Sequence, residues 1–154
     1  MKLMLKVMHK NSGFTIMELM TTIAIIAILA AIAVPNMISW RSGTKLQGAV
    51  ENLRGDLQLA KMKAVQENGS VTVDFSVSAD NDEYQISGSG LTTKTRQLPS
   101  GVRIDPGGTD FNGNDFVTFN NRGFPENAGS VVIVSSGGEG QTINLNRLGR
   151  ININ

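Results

Sequence analysis

A long uncharged segment near the N-terminus constrains this chain more than any other feature of its sequence. The 22 residues from Leu19 to Trp40 carry no charge and are mostly Ile, Ala, Leu, Val and Met. An α-helix rises about 1.5 Å per residue, so a helix of this length crosses the hydrocarbon core of a bilayer, which is roughly 30 Å thick. The sequence therefore predicts a membrane-spanning helix followed by a separate C-terminal region.

Glu18 stands directly before this uncharged segment. An unpaired carboxylate that is carried toward the bilayer centre costs about 2.5–3.5 kcal/mol. Glu18 therefore either stays in the interface as a charge without function or pairs with a cation. Carboxylates in membrane segments are functional by default, which favours the second interpretation.

The charges ahead of the segment predict its orientation. The residues before Gly13 carry four basic side chains and no acid: Lys2, Lys6, His9 and Lys10. This bias places the N-terminus in the cytoplasm and the residues after Trp40 outside the cytoplasmic membrane. A removable signal peptide and a plain single-pass anchor are the alternatives. The sequence Ala31-Ile32-Ala33 offers a signal peptidase site, but the apolar run is longer than that of a usual signal peptide.

The composition excludes several classes of function. The chain has 14 basic and 13 acidic residues, a balance that argues against a protein built wholly around nucleic acid or anionic lipid. It has no cysteine, which excludes disulfides and thiolate sites. The single histidine, His9, lies ahead of the membrane segment, so the rest of the chain lacks the histidine of a catalytic triad or zinc site. We expect neither enzymatic activity nor a cofactor.

One short stretch has the spacing of a calcium loop. Asp110, Asn112 and Asn114 occupy alternating positions, as the first ligands of such a loop do. The sixth position is Asp115 where Gly is needed, and the twelfth is Asn121 where a bidentate Glu is needed. We therefore expect a solvated turn.

The region after Pro35 predicts an α+β fold. Apolar residues recur there at spacings of three and four, which indicates an amphipathic helix: Leu46, Ala49, Val50, Leu53, Leu57, Ala60 and Ala64. We expect Asn68-Gly69 to end it, with Gly69 in the left-handed conformation. Eight strands are predicted next, at 70–78, around Tyr84 and Ile86, and at 91–98, 102–104, 115–120, 130–135, 141–146 and 150–154. Short connections predict a mainly antiparallel sheet packed on the helix.

The N-terminal motif resembles the class III signal of type IV pilins and pseudopilins. The resemblance rests on the spacing of Gly13, Phe14, Glu18 and Pro35 around a basic leader and an apolar helix. It implies cleavage between Gly13 and Phe14 by a prepilin peptidase and N-methylation of Phe14. It also implies that Glu18 recruits the subunit into a filament by pairing with the new N-terminus of a neighbouring subunit, and that Pro35 kinks or locally opens the helix.

The C-terminal region is similar to the GspH/FimT group of minor pseudopilins and minor type IV pilins. The similarity rests on Phe119-Asn120-Asn121-Arg122-Gly123, a valine strand, a Gly loop at 137–140 and the closing Gly149-Arg150. It implies a structural subunit of a type II secretion pseudopilus or a type IV pilus, anchored in the bacterial inner membrane and partnered by other pilin subunits. The predicted organisation is a leader at 1–13, a transmembrane assembly helix at 14–40, an amphipathic helix at 41–68 and a β-rich periplasmic head at 69–154.

The C-terminus supports a second hypothesis. In FimT-like minor pilins that act in DNA uptake, a Gly-Arg-x-Arg stretch is associated with DNA binding. This chain has Gly149-Arg150-Ile151-Asn152, so the second arginine is missing, and Arg147 is its candidate substitute. The alternative to DNA binding by these arginines is a solvated turn that closes the sheet. For the whole chain, a third hypothesis is a lone anchored periplasmic domain without a role in filaments.

Overall fold

The computed structural model of the protein describes residues 13–154, apart from the side chain of Ser39. The predictions made for the lysines and the histidine of the leader lie outside the described residues. The chain divides after Met37 into two compact units, of which the second comprises Ile38–Asn154.

Among the described residues up to Met37, the chain is helical from Ile16 onward and has an apolar surface. Helix α1 comprises Ile16–Gln66. Its large apolar side chains in this part are exposed, as Ile32 is at 72%. Within residues 13–154, α1 is the one helix that is long and apolar enough to cross a membrane, by length and composition. The helix continues through Pro35, and the kink expected there stays a prediction.

The later part of α1 buries the stripe that the sequence predicted. All seven predicted apolar residues, from Leu46 to Ala64, are at most 2% exposed. The helix ends in a Schellman motif, in which the Gly69 N–H donates to the Ala64 carbonyl and the Asn68 N–H donates to the Val65 carbonyl. Asn68, with φ of 47°, takes the left-handed position. The expectation that Gly69 would do so was wrong, because the motif places its left-handed residue one position earlier.

Eight strands follow the helix, as predicted. They are β1 (Val71–Asp74), β2 (Glu83–Gly88), β3 (Leu91–Gln97), β4 (Val102–Ile104), β5 (Phe116–Phe119), β6 (Gly129–Ser135), β7 (Gly140–Leu145) and β8 (Ile151–Ile153). They form two four-stranded sheets in the orders β3-β2-β1-β5 and β4-β6-β7-β8. Every strand pair is antiparallel. The sequence did not predict the division into two sheets.

The first strand is shorter than predicted. Val71, Val73, Phe75 and Val77 alternate with polar residues in 70–78, which predicts that these four face inward, but β1 ends at Asp74. Phe75 remains 1% exposed because its N–H donates to the Asp115 carbonyl, which continues the contact with the β5 side of the sheet. Val77 is 38% exposed and takes no part in the core, so its inward placement was wrong.

Both sheets share one hydrophobic core with α1. The buried stripe of the helix packs in the same cluster as the inward residues of the strands. Phe75 and Phe111 stack within this cluster, with ring centroids 5.5 Å apart. The second unit is therefore a helix packed on two antiparallel sheets, which confirms the predicted α+β fold class.

Candidate functional site

The start of α1 carries Glu18 in its first turn. The Thr15 hydroxyl accepts the backbone N–H of Glu18 at 3.2 Å, which makes Thr15 the N-cap. The spacing Thr15-x-x-Glu18 is that of a capping box, and a carboxylate in the first turn is stabilised by the positive end of the helix dipole. The Thr-x-x-Glu pattern was readable in the sequence, but the sequence reasoning treated Glu18 as a charge without this local support.

Glu18 lies on an exposed helix surface. Its neighbours Phe14 and Met17 are 75% and 76% exposed. Among the residues that the structure describes, no basic group forms an ion pair with Glu18. Within these residues the Glu18 carboxylate is therefore exposed and has no ion-pair partner.

The polar side chains that follow Glu18 are satisfied within the helix. The Thr21 hydroxyl donates to the Met17 carbonyl at 2.8 Å, and the Thr22 hydroxyl donates to the Leu19 carbonyl at 2.8 Å. Back-bonding of this kind satisfies hydroxyl groups that lipid cannot. Among the side chains of Glu18, Thr21 and Thr22, the Glu18 carboxylate is thus the one that is not satisfied within the helix.

The space around Gly13 bears on the predicted cleavage site. A Cβ atom added to Gly13 would meet no atom of the described residues within 4 Å. A Gly13→Ala chain is therefore free of steric conflict in this structure, and any effect of that substitution on processing would come from the peptidase.

Arg147 and Arg150 lie on one turn between β7 and β8. The Asn146 side-chain oxygen accepts the N–H of Leu148 at 3.0 Å and that of Arg150 at 2.9 Å. The Gly149 N–H donates to the Asn146 carbonyl at 2.9 Å, and Gly149 has φ of 71°. The structure thus brings the two predicted arginines together on a turn that is closed by an asparagine and a glycine.

A second turn of the same construction connects β5 to the following segment. The Asn120 side-chain oxygen accepts the N–H of Arg122 at 3.0 Å and that of Phe124 at 3.1 Å. The Gly123 N–H donates to the Asn120 carbonyl at 2.8 Å, and Gly123 has φ of 77°. We call 120–124 and 146–150 the paired turns.

The paired turns are adjacent and meet α1 at Lys61. A Cβ atom on Gly149 would lie 3.0 Å from the carbonyl oxygen of Gly123. The Lys61 ammonium donates to the Gly149 carbonyl at 3.1 Å. The surface therefore gathers four cations, and none of them forms an ion pair within residues 13–154: Lys61, Arg122, Arg147 and Arg150.

Two of these four basic residues, Arg147 and Arg150, were predicted from the sequence because they are close in the chain. Arg122 and Lys61 were not predicted. The available signal was the repeated pattern Asn-x-x-Gly at 120–123 and 146–149. The contact of Lys61 with the second turn joins residues 88 positions apart and has no local signature.

The calcium-like stretch is closed by its own side chains. An Asp110 carboxylate oxygen accepts the N–H of Gly113 at 2.6 Å. The Asn114 amide donates to the carbonyls of Phe111 at 3.3 Å and Asn112 at 3.4 Å. The described part of the chain contains no group of three or more His, Cys, Asp or Glu residues that could hold a metal. The loop is a turn in which Asp110 caps a backbone N–H.

A polar bridge joins α1 to the first sheet. The Tyr84 hydroxyl donates to Asp56 at 2.7 Å, and the Arg96 guanidinium contacts the same carboxylate oxygen at 3.2 Å. Burial raises the pKa of Tyr84 above its ordinary value of 10, and the hydrogen bond and negative charge of Asp56 raise it further, while Arg96 lowers it. A phenol held in its neutral form suits a structural contact between helix and sheet.

These features together define a class of protein. An apolar N-terminal helix, continued by an amphipathic part that packs under antiparallel sheets, is the fold of a pilin-type filament subunit. Two family models match the chain: the prokaryotic N-terminal methylation motif over residues 8–34 and the type II transport protein GspH over residues 49–149. The chain belongs to the GspH family.

Solved structures agree on the fold. The type IV minor pilin FimU of Pseudomonas aeruginosa PAO1 matches in a crystal form with a TM-score of 0.58 and 19% identity, covering 75% of this chain and 92% of FimU. The minor pseudopilin EpsH of the type 2 secretion system of Vibrio cholerae matches with a TM-score of 0.55 and 11% identity, covering 71% of this chain and 95% of EpsH. At these identities the matches concern the fold.

A curated relative matches a short part of the chain. The type IV major pilin protein PilA of Myxococcus xanthus is 51% identical over 45 residues, which is 29% of this chain and 20% of PilA. The aligned part thus spans about a fifth of that relative. Together with the family match, it supports a pilin-type structural role in association with other pilin subunits, and not an enzymatic role.

Proposed function

We propose that this chain is a minor pilin or pseudopilin that primes or caps the assembly of a type II secretion pseudopilus or a type IV pilus. One observation carries the proposal: a pilin-type methylation motif at residues 8–34 precedes a GspH domain at residues 49–149 in one chain. The first part supplies the element by which subunits assemble, and the second supplies the head that distinguishes one subunit from another.

Processing is the first step of the proposed function. A prepilin peptidase cuts between Gly13 and Phe14 on the cytoplasmic face, and the new amino group of Phe14 is methylated. The uncharged helix then anchors the subunit in the inner membrane, with the head in the periplasm. The absence of charge from Leu19 to Trp40 and the basic residues of the leader support this topology.

Glu18 is the proposed assembly residue. Cleavage creates an ammonium group on Phe14, and a methylated amine keeps its positive charge. A carboxylate on an apolar helix is costly by itself and favourable when a cation of another subunit satisfies it. The lack of an ion-pair partner for Glu18 within residues 13–154 supports a partner on a neighbouring subunit.

The experiment compares filament recruitment of three variants in a host with the complete assembly system. Glu18→Ala should enter the membrane and be cleaved, yet recruit poorly, and Glu18→Asp should recruit partially because its side chain is shorter. Glu51→Ala is the matched control, since Glu51 is an exposed acid of the same helix and forms its ion pair with Arg54, one turn away, at 3.5 Å. Recruitment of Glu18→Ala at the level of Glu51→Ala would mean that Glu18 is only an interfacial charge.

The paired turns favour DNA binding as a second candidate function. The observation that favours it is the presence of four cations without an ion-pair partner on one surface of residues 13–154. Positive groups that contact phosphates release counterions, so the affinity should fall steeply with rising salt. Such contacts carry no base information, so the binding should not depend on sequence.

The DNA candidate is tested by the salt dependence of binding to duplex DNA. Arg150→Gln and Arg122→Gln should each reduce the log–log slope by about one unit, because each removes one phosphate contact. Asn152→Arg restores the Gly-Arg-x-Arg pattern and should strengthen binding. Arg103→Gln, on β4, is the control for net charge. If neither the original chain nor Asn152→Arg binds at low salt, this candidate is wrong and the first proposal is unaffected.

A further inference from the structure

A cavity of about 310 Å³ lies within the second unit, beside the residues that follow the uncharged segment. About two turns of α1, at 38–45, line it on one side, and the loop and start of β4 and the loop after β6 line it on the other. None of the functions discussed above uses this cavity. The residues that give it chemical character are Arg41, Ser42, Lys45, Ser100, Gly101 and Ser136.

Two cations stand at this cavity. Arg41 and Lys45 are four residues apart on α1, so their side chains leave the same face of the helix. The Lys45 ammonium donates to the Ser100 carbonyl at 3.0 Å, which holds it at the cavity rim. Neither residue forms an ion pair with an acid within residues 13–154. The two cations of the cavity are thus not engaged in ion pairs with the described chain.

Hydroxyl groups complete the lining. Ser100 and Ser136 contribute one hydroxyl each, and a hydroxyl donates readily to an anionic oxygen. Gly101 has φ of 85°, and a Cβ atom on it would lie 3.0 Å from the Ser136 hydroxyl oxygen. A guanidinium, an ammonium and hydroxyls around a small cavity are the donors that bind phosphate oxygens.

The position of the cavity along the chain indicates the source of the phosphate. Arg41 is the first charged residue after the uncharged segment. Trp40 precedes it and is 70% exposed, and tryptophan favours the headgroup layer of a membrane. A helix that spans the bilayer with this segment delivers Arg41 and Lys45 to the depth of the lipid phosphates, where basic side chains extend toward the interface.

We propose that this cavity binds the phosphate headgroup of an anionic phospholipid, through Arg41, Lys45 and the hydroxyls of Ser100 and Ser136. The proposal rests on the membrane insertion described under the proposed function. Before assembly, this binding fixes the depth of the helix in the inner membrane and the position of the head on the periplasmic surface of that membrane. Extraction of the subunit into a filament then requires release of the lipid.

The single tryptophan of the chain makes the test direct, because Trp40 is adjacent to Arg41. The full chain is reconstituted in phosphatidylcholine vesicles that contain a small fraction of lipid with brominated acyl chains, which quench tryptophan at short range. Brominated phosphatidylglycerol is compared with brominated phosphatidylcholine at equal mole fraction. We expect stronger quenching of Trp40 by the anionic lipid.

The variants identify the site. Each cation near a membrane surface changes the affinity for anionic lipid by about fivefold, so Arg41→Gln with Lys45→Gln should remove most of the excess quenching. Lys94→Gln, which removes an exposed cation of β3, should leave the excess unchanged. Glu139 lies beside this part of α1, with a carboxylate oxygen 3.1 Å from the Cβ position of Gly43. Glu139→Gln should therefore increase the excess.

Three results would overturn the proposal, and they are distinguishable. Absence of quenching by either lipid means that the helix is not inserted, and the membrane anchoring fails together with the site. Equal quenching by both lipids, with insertion intact, removes the site alone. Excess quenching that persists in Arg41→Gln with Lys45→Gln means that the anionic lipid is attracted elsewhere, and it removes the site.

Discussion

Replacing Tyr84 by Phe tests the contact between the helix and the first sheet with almost no change of shape. Tyr84 is 3% exposed, and its hydroxyl donates to Asp56 at 2.7 Å. Hydrogen bonds to charged groups contribute about 1.5–3 kcal/mol to stability. The Asp56 side chain is 13% exposed and keeps its contact with Arg96, so the lower end, about 1.5 kcal/mol, is expected for Tyr84→Phe.

The two partners of Tyr84 give a ranking that a general loss of packing would not produce. Asp56→Ala should cost more, about 2–3 kcal/mol, because it leaves the buried Tyr84 hydroxyl without a partner. Arg96→Gln should cost less than about 1 kcal/mol, because the Arg96 side chain is 49% exposed and its ion pair is screened by water. Urea unfolding of the purified chain in detergent, followed by circular dichroism, measures all three. If Arg96→Gln costs as much as Asp56→Ala, the hydrogen bond between the Tyr84 hydroxyl and Asp56 is not the main contribution of this contact to the free energy of unfolding.

Alkaline pH supplies an independent measurement of the same contact. The pKa of Tyr84 is raised in the folded state, first by burial and then by Asp56, so its stabilising contribution is complete below pH 10 and is lost as the pH rises beyond that value. The free energy of unfolding should then fall by up to about 1.4 kcal/mol per pH unit relative to Tyr84→Phe. Tyr84 is the single tyrosine of the chain, so tyrosinate absorbance reports on it alone. Tyrosinate formation near pH 10 in the folded protein would refute this account.

Intact-mass measurement of chain made with a prepilin peptidase should show a protein that begins at N-methylated Phe14, and Gly13→Ala should keep its leader; a terminus at Val34 would refute the pilin interpretation. Asn68→Ala should lower the free energy of unfolding by about 1–2 kcal/mol, because Asn68 has φ of 47°, and Asn68→Gly should be nearly neutral. In urea unfolding, Gly123→Ala should destabilise more than Gly113→Ala: both glycines have positive φ, but only at Gly123 would the new methyl group press on α1, 3.0 Å from Val65.

The local elements of this fold were predictable because their signals are short-range. The buried stripe of α1 follows from spacings of three and four, and the inward residues of β6 and β7 follow from alternation. Division into two sheets was not predictable in this way. The pairing of β5 with β1, and of β4 with β6, depends on packing over a shared core and not on the length of a connection.

The candidate sites show the same limit. Gly13, Phe14 and Glu18 were proposed from a motif within a few residues, and their roles stay predictions. Lys61 could be assigned to the basic surface only from its contact with Gly149 in the structure. The helix end was predicted within a residue or two, but which residue takes the left-handed conformation depended on the hydrogen bonds of Gly69 and Asn68.

The interleaving of the two sheets has a consequence for how the head is made in the cell. The chain supplies β1 to β3 to the first sheet, β4 to the second, β5 to the first again, and β6 to β8 to the second. In the proposed topology the head is exported after the helix, in chain order, so β1 and β4 keep unpaired edges until β5 and β6 arrive. The two sheets can then close over their shared core only once the later strands are present. A chain that is truncated before β6 leaves β4 without its partner strand, and we expect it to give no smaller working head.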